Sequence, residues 1–191
     1  MSWIVFADAN VLYSRTLRDW LFLLRLGGSD LFAVFSTEDV LAEVIYRYRR
    51  KHPNAPGRVV ASIRNRLAGS LDDLVGDYEI DNSHPVGDKN DQHVHAAAQA
   101  CGADFLLTED HGFTATSAHA EATRRCYEVY TADAFFVLVD DSDPALVRRV
   151  TQQQADYWVG KRGTANLCES LRLARCPEFA ERVHRHKPAL G

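Results

Sequence analysis

Short apolar runs, bounded by polar or turn-forming residues, predict the strands of this chain. The clearest run covers residues 3–7 (Trp-Ile-Val-Phe-Ala), and similar runs lie at residues 104–108 and 127–130. Runs of this length are typical of buried strands, because helices are usually about twice as long. A further short strand is predicted at residues 78–80.

Between these runs, apolar residues recur at helical spacing. One apolar face extends from Tyr13 to Leu24 and stops at Gly27-Gly28, and Ser36 or Thr37 can cap the next helix. Further helices are predicted at residues 57–69, 91–101, 116–125 and 132–139. Short strands that alternate with helices are typical of an α/β fold with a mostly parallel central sheet flanked by helices.

The composition changes after Asp143-Pro144. Additional helices are predicted at residues 145–159 and 164–187, on either side of a Gly-Lys-Arg-Gly segment at 160–163. We therefore predict an α/β domain over residues 1–143 and a C-terminal helical extension over residues 144–191.

The overall composition is that of a globular protein rather than of a membrane or disordered chain. The 191 residues are 46% hydrophobic and 25% charged, and no apolar stretch approaches the roughly 18 residues of a membrane helix. The first residues carry no basic segment typical of a signal peptide. The four cysteines have no close spacing, so we expect reduced, buried thiols and a cytoplasmic location.

Positive charge is concentrated, although the net charge is −4. Residues 47–66 contain seven Lys or Arg and no acid, and residues 161–187 contain seven Lys or Arg against three Glu. Basic segments beside an otherwise acidic chain favour a polyanion-binding face. A solvated helix face with a basic tail is the alternative.

Four carboxylates stand where predicted elements begin, end or turn inward. Asp8 follows the first strand, Glu43 lies inside an amphipathic helix, Asp91 opens a helix, and Asp110 follows the strand at 104–108. In parallel α/β sheets, ligands bind beyond the carboxyl ends of the strands. Four carboxylates that converge there could hold a hard divalent cation such as Mg²⁺.

Each carboxylate also has a purely structural explanation. Asp8 could cap the following helix, Glu43 could pair with Arg47 four residues later, and Asp91 suits the positive end of its helix. Asn10 could cap a helix or position a metal-bound water.

The last acidic segment contains two adjacent acids, Glu109 and Asp110. Their mutual repulsion at a crowded sheet edge favours a nearby cation, either a metal ion or an arginine. Asp110 is the predicted ligand, with Glu109 as the alternative.

Together these segments resemble those of the PIN-domain ribonucleases. Asp8-Ala9-Asn10-Val11-Leu12 is similar to the opening motif of the family, and Glu43 lies in the expected helix. Residues 91–98 (Asp-Gln-His-Val-His-Ala-Ala-Ala) are similar to the third acidic motif, and Leu107-Thr108-Glu109-Asp110 with Phe113 is similar to the last. The resemblance covers about residues 3–140, with the motifs in the family's order.

The resemblance implies a three-layer PIN-like fold and Mg²⁺-dependent cleavage of RNA, with Mn²⁺ as the other possible ion. The implied catalytic and metal-binding residues are Asp8, Glu43, Asp91 and Asp110. Asn10 or Thr108 would position a water or a ligand. RNA would be bound by the basic residues Arg47, Arg49, Arg50 and Lys51.

Bacterial chains of this sort are often VapC-type toxins of type II toxin–antitoxin pairs. The resemblance therefore also implies a VapB-type antitoxin as partner and a homodimer. Leu17, Trp20, Leu21 and Tyr48 are interpreted as core residues, with an antitoxin-binding groove as the alternative. Two other functions stay open: a housekeeping RNA-processing nuclease, and a catalytically silent PIN module that binds RNA or protein.

Two other classes agree less well with the residues. A phosphatase of the haloacid-dehalogenase type needs a second Asp two residues after the first, where this chain has Asn10. A structural zinc site would need converging ligands, and His93 and His95, two residues apart on a helix, face in different directions.

Overall fold

The structure is a computed structural model that describes residues 2–28, 30–80, 92–110 and 126–186. The strands in these ranges are β1 (Trp3–Ala7), β2 (Phe32–Ser36), β3 (Asp73–Leu74), β4 (Phe105–Leu107) and β5 (Glu128–Tyr130). The helices are α1 (Ala9–Tyr13), α2 (Arg15–Gly27), α3 (Glu38–Lys51), α4 (Gly57–Ala68), α5 (Gln92–Ala100), α6 (Ala132–Ser142), α7 (Pro144–Arg162), α8 (Leu167–Leu173) and α9 (Pro177–His186).

The five strands form one sheet in the order β3-β2-β1-β4-β5, and every neighbouring pair is parallel. The central strand β1 ends in three residues without exposed surface, Val5, Phe6 and Ala7. The predicted α/β fold with a parallel central sheet flanked by helices is confirmed, as are helices beyond residue 144.

Two details of the sheet differ from the sequence-based prediction. β2 was not predicted, although its buried residues Phe32, Val34 and Ser36 alternate with half-buried ones, as in a strand. The strand predicted at residues 78–80 is wrong. The short strand that precedes this segment is β3, whose Asp73 and Leu74 pair with the end of β2.

Side-chain caps fix where several helices begin. Thr37 Oγ1 accepts from the Val40 backbone N–H at 3.2 Å, so Thr37 rather than Ser36 caps α3, and Thr131 Oγ1 caps α6 by accepting from the Ala134 N–H at 3.2 Å. Asp143 caps α7 in the same way. Because Thr37 holds the start of α3, the position of Glu43 along that helix is set relative to the end of β2.

The chain forms two compact units. The first, residues 1–13 and 30–130, contains the sheet with α1, α3, α4 and α5; the second, residues 14–29 and 131–191, is helical. The boundary predicted at residue 143 does not coincide with this division, because α6 packs against α7 and α9. That residues 1–143 form a nuclease domain stays a prediction.

The helical unit has an aromatic core of its own. The Trp20 and Phe179 rings meet edge to face with 5.0 Å between their centroids, and Phe136 lies 5.1 Å from Phe179. Leu17 and Leu21 are buried with Trp20, so the interpretation of these three residues as core is confirmed. Tyr48, in the first unit, is half-buried.

The prediction of four buried cysteines is only half right. Cys168 and Cys176 are buried, whereas Cys101 is half-buried and Cys126 is exposed, and all four are free thiols. Cys126 lies in the bend that precedes β5. In the part of the chain that the structure describes, every helix is too short or too polar to cross a membrane.

Candidate active site at the carboxyl ends of the central strands

The order of the strands reverses between β1 and β4. From β1 the chain adds β2 and β3 on one side, then returns to add β4 and β5 on the other. Ala7 and Leu107 are register partners at the ends of β1 and β4, and the Asp8 N–H donates to the Leu107 carbonyl at 3.0 Å. The two following segments therefore leave the sheet side by side, where parallel α/β sheets usually bind ligands.

Asp8 is the centre of a hydrogen-bond network at this switch point. Its Oδ1 accepts from the Ala9 N–H at 2.5 Å, and its Oδ2 accepts from Asn10 Nδ2 at 2.6 Å and from the Thr108 hydroxyl at 2.7 Å. A helix-capping side chain accepts from the second or third N–H of the helix. The Asp8 side chain bonds the first N–H of α1 instead, so capping does not explain it.

Asn10 and Thr108 also hold the segment after β4. Asn10 Oδ1 accepts from the Glu109 N–H at 3.0 Å, and Thr108 Oγ1 accepts from the Asp110 N–H at 3.1 Å. The two side chains join each other as well, with 3.0 Å between Asn10 Nδ2 and Thr108 Oγ1. Both residues therefore orient Asp8, while their predicted role toward a water or ligand stays a prediction.

The Asp8 carboxylate is in an unfavourable environment for an anion. The residue is only 8% exposed, and this burial is the main cause that raises its pKa above 3.8. The negative charge of Glu43 raises the pKa further, whereas the hydrogen bonds from Thr108 and Ala9 and the charge of Arg47 lower it. A cation beside Asp8 would relieve this cost.

Glu43 is half-buried on α3, which packs against α1. Its Oε1 lies 2.5 Å from Arg47 Nη2, so the ion pair expected between residues four apart on a helix is present. The charges of both residues act on Asp8. Glu43 is therefore at once half of an ion pair and a neighbour of the buried carboxylate.

The remaining predicted ligands differ in placement. Asp110 is exposed and Glu109 is half-buried, and each has at least one further interaction in the structure. Asp91 lies outside the described residues, so its position relative to Asp8 stays a prediction. Between Asp8 and Glu43 the structure shows a direct electrostatic influence, since the charge of Glu43 raises the pKa of Asp8.

The donor atoms at this edge have the chemistry that Mg²⁺ prefers, but the described residues supply too few. A carboxylate has roughly four acceptor positions, and three hydrogen bonds to Asp8 leave about one for a cation. Within residues 2–28, 30–80, 92–110 and 126–186, no three His, Cys, Asp or Glu side chains could hold a metal ion together. Further oxygen ligands would have to come from water or from residues outside these ranges, of which Asp91 is the predicted one.

The predicted RNA-binding residues lie at the end of α3, and two of them form hydrogen bonds within the protein. Arg47 pairs with Glu43, and Arg49 Nη1 donates to the Ala55 carbonyl at 2.5 Å. The Arg50 guanidinium lies 5.9 Å from the Tyr46 ring centroid. Arg50 and Lys51 are exposed, and they are the two that could contact a polyanion without breaking a protein hydrogen bond.

Sequence reasoning missed two charged clusters in the helical unit. One surrounds Trp158, and its only sequence signal was the run of aromatic and basic residues at 157–162. The other surrounds Asp140, which is 3% exposed and bonded to Arg182 and His186. No sequence spacing indicates the second cluster, because Asp140 and its partners are more than 40 residues apart.

No protein-family model, no curated protein and no solved structure compared with this chain matches it.

Proposed function

We propose that this chain is a metal-dependent endoribonuclease that hydrolyses phosphodiester bonds of RNA. The observation that carries the proposal is the buried Asp8 carboxylate at the switch point of the sheet, with its pKa raised by burial and by Glu43. Groups perturbed in this way are enriched at functional sites. The resemblance of the acidic segments to PIN-domain ribonucleases supplies the reaction class.

In this proposal Asp8, Glu43, Asp91 and Asp110 hold Mg²⁺ or Mn²⁺ largely through bound waters, since the described carboxylates alone do not form a metal site. The bound ion would neutralise charge on the scissile phosphate and lower the pKa of the attacking water. Asn10 and Thr108 would keep the Asp8 carboxylate in one orientation before the ion binds, since both donate to its Oδ2. Arg47 would balance the charge of Glu43 in the metal-free protein.

The biological role that we propose is that of the toxin in a type II toxin–antitoxin pair, acting in the cytoplasm as a homodimer. A VapB-type antitoxin would be the cognate partner. This role rests on the family resemblance alone, so it needs a test beyond that of the nuclease activity.

A catalytically silent binding module is the second candidate. It is favoured by the Glu43–Arg47 ion pair, because an arginine that neutralises a predicted ligand removes part of the need for a metal ion. The silent module predicts binding of RNA or of a protein without cleavage, and only the nuclease predicts strand cleavage that depends on metal.

The deciding experiment measures cleavage of a labelled RNA by the purified full-length chain with Mg²⁺, with Mn²⁺ and with EDTA. The wild-type protein should cleave only with metal, and Asp8→Asn should lose activity by at least about 100-fold while staying folded. Asp30→Asn is the matched control, because it makes the same chemical change at an exposed carboxylate. Full activity in folded Asp8→Asn would overturn the assignment, and no cleavage by the wild type would favour the silent module.

The toxin role needs its own test. Induced expression of the wild-type chain should stop bacterial growth, and Asp8→Asn should not. Co-expression of a small protein encoded beside the gene should restore growth. Normal growth despite measurable ribonuclease activity would favour housekeeping RNA processing.

A further inference from the structure

A group of cations and aromatic rings lies around Trp158 at the C-terminal end of α7. We call it the Trp158 cluster, and its members are Arg15, Tyr157, Trp158, Lys161 and Arg162. Arg15 comes from α2, and all five residues belong to the helical unit. The guanidinium carbons of Arg15 and Arg162 lie 5.3 and 4.6 Å from the Trp158 ring centroid, and Lys161 Nζ lies 5.8 Å away. The Tyr157 and Trp158 rings meet edge to face at 5.1 Å.

Helix energetics explain only part of this cluster. Lys161 and Arg162 occupy the last turn of α7, where the helix dipole favours cations. That argument does not apply to Arg15, which lies in the first turn of another helix, where the dipole disfavours a cation. Attraction to the Trp158 ring brings the three cations together, and their mutual repulsion opposes it.

Little negative charge offsets the cluster. Arg15 Nε lies 3.5 Å from Asp19 Oδ2, in an exposed ion pair that contributes little. Among the described residues, no acid forms an ion pair with Lys161 or Arg162. The cluster therefore presents a net positive charge to solvent.

The aromatic part of the cluster is partly open to solvent. Tyr157 is 51% exposed. Its hydroxyl accepts a hydrogen bond from Lys161 Nζ at 2.9 Å, which holds the ring and also lowers the pKa of the phenol. Trp158 is half-buried and donates through Nε1 to Gln154 Oε1 at 3.1 Å, so it is the fixed ring over which the guanidinium groups lie.

We propose that the Trp158 cluster binds a single-stranded segment of RNA, with Arg15, Lys161 and Arg162 contacting phosphates and Tyr157 stacking on a base. A guanidinium that lies over an aromatic ring keeps its N–H edge available for the oxygens of a phosphate. Cations interleaved with an exposed aromatic ring are the combination that non-sequence-specific single-strand binders use. The choice of RNA as the polyanion rests on the proposed ribonuclease function.

Single-stranded RNA fits better than the other polyanions that such a surface could contact. A duplex buries its base faces and would leave Tyr157 unused, whereas an unpaired base can stack on it. An anionic membrane would need a broad apolar face beside the cations. Among the described large hydrophobic residues of α7, Tyr157 and Val159 are exposed, each by 51%, and two such side chains do not make a broad apolar face.

The test measures binding of a labelled oligouridylate of about 12 nucleotides, a length within single-strand site sizes, to the full-length chain in EDTA. EDTA prevents metal-dependent cleavage, so the affinity is read independently of activity. Tyr157→Ala should weaken binding by roughly 5-fold or more, and Tyr157→Phe should keep most of it because the stacking ring remains. Arg162→Ala should weaken binding and lower the slope of log affinity against log salt by about 0.7.

Arg185→Ala is the matched control, since Arg185 is an exposed arginine of the same helical unit outside the cluster. Unchanged affinity and salt slope in both Tyr157→Ala and Arg162→Ala, with the wild-type melting temperature, would overturn the proposal. So would tight binding to phosphatidylserine vesicles that the variants lose while their RNA binding stays intact.

The two proposals fail separately. If RNA binding depends on Tyr157 and Arg162 but no metal-dependent cleavage occurs, the ribonuclease function is wrong and the strand-binding surface stands. If the chain cleaves RNA and the two variants bind the oligouridylate as tightly as the wild type, the surface is wrong and the nuclease stands.

Discussion

The Thr108 hydroxyl donates a hydrogen bond to Asp8 Oδ2 across a distance of 2.7 Å, although the two residues are 100 positions apart in the chain. The same oxygen of Thr108 accepts from the Asp110 N–H at 3.1 Å. One buried side chain thus connects the carboxylate that follows β1 with the backbone that follows β4. This link makes Thr108 a positioning residue for the proposed site.

Replacing Thr108 by valine should therefore damage both stability and activity. The change keeps the volume of the side chain but leaves buried polar partners without their hydrogen bond, which should lower the free energy of unfolding by about 1–3 kcal/mol. If Asp8 holds the metal ion, kcat should fall by about 10–100-fold with a smaller change in KM, because partners that orient a ligand have effects of this size. Urea unfolding and steady-state RNA cleavage measure the two effects.

Thr108→Ser is the control for this prediction, since it keeps the hydroxyl and removes only a methyl group. It should retain most of the activity. An unchanged kcat in Thr108→Val would show that the orientation of Asp8 through Thr108 is not used in the reaction.

The sequence predicted the parts of this site that depend on local pattern. The apolar run before Asp8 indicated β1, and the run before Thr108 indicated β4, so both residues were expected at one sheet edge. The hydrogen bond between them could not be predicted, because it depends on the register in which Ala7 pairs with Leu107. A shift by one residue would turn the side chains at the strand ends to the opposite face.

The parts that the sequence did not predict depend on contacts between distant segments. Arg15 and Trp158 are 143 positions apart, and they meet only because α2 packs against α7. β2 is an exception, because residues 31–35 (Leu-Phe-Ala-Val-Phe) form an apolar run as long as the one that indicated β1, and the prediction overlooked it. Its pairing with β1, however, is a tertiary property. Periodicity reports which face of an element is buried and does not report what lies against it.

The basic residues at the end of α3 lead to a second prediction. Because Arg47 and Arg49 already bond within the protein, the double variant Arg50→Glu/Lys51→Glu tests RNA binding with the least structural disturbance. It should weaken RNA binding and lower the salt slope by about 0.7 for each phosphate that the variant no longer binds. Fluorescence anisotropy in EDTA, repeated over a range of salt concentrations, measures both quantities.

Arg148→Glu/Arg185→Glu is a control with the same change in net charge, placed on exposed residues of the helical unit. An equal loss of affinity in both double variants would mean that overall charge decides binding, and the predicted RNA-binding role of Arg50 and Lys51 would then be wrong.

The buried Asp8 predicts a specific pH dependence of stability in EDTA. Because its pKa in the folded protein lies above 3.8, the folded state holds a proton over the range between that value and the raised pKa, where the unfolded state has already lost it. The contribution of Asp8 to the free energy of unfolding should therefore fall as the pH rises through this range. Asp8→Asn cannot titrate and should lack this fall.

Urea unfolding of both proteins from about pH 3.5 to about pH 7 measures the difference. The free energy of unfolding of the wild type, minus that of Asp8→Asn, should decrease as the pH rises and then level off. A difference that is constant over the whole range would contradict a raised pKa. Addition of Mg²⁺ should restore the stability of the wild type at neutral pH, since a bound cation favours the carboxylate.

The last prediction concerns the helical unit and compares two adjacent carboxylates. Asp140 is 3% exposed and bonds His186 Nε2 at 2.5 Å and Arg182 Nη1 at 3.2 Å, whereas Asp141 bonds Arg182 with its side chain 56% exposed. Asp140→Asn should lower the free energy of unfolding by about 1.5–3 kcal/mol, because it weakens charge-assisted bonds in a buried place. Asp141→Asn should lower it by less than about 1 kcal/mol, because water replaces much of an exposed ion pair. Urea unfolding measures both variants, and equal losses would mean that burial of Asp140 does not strengthen its contacts.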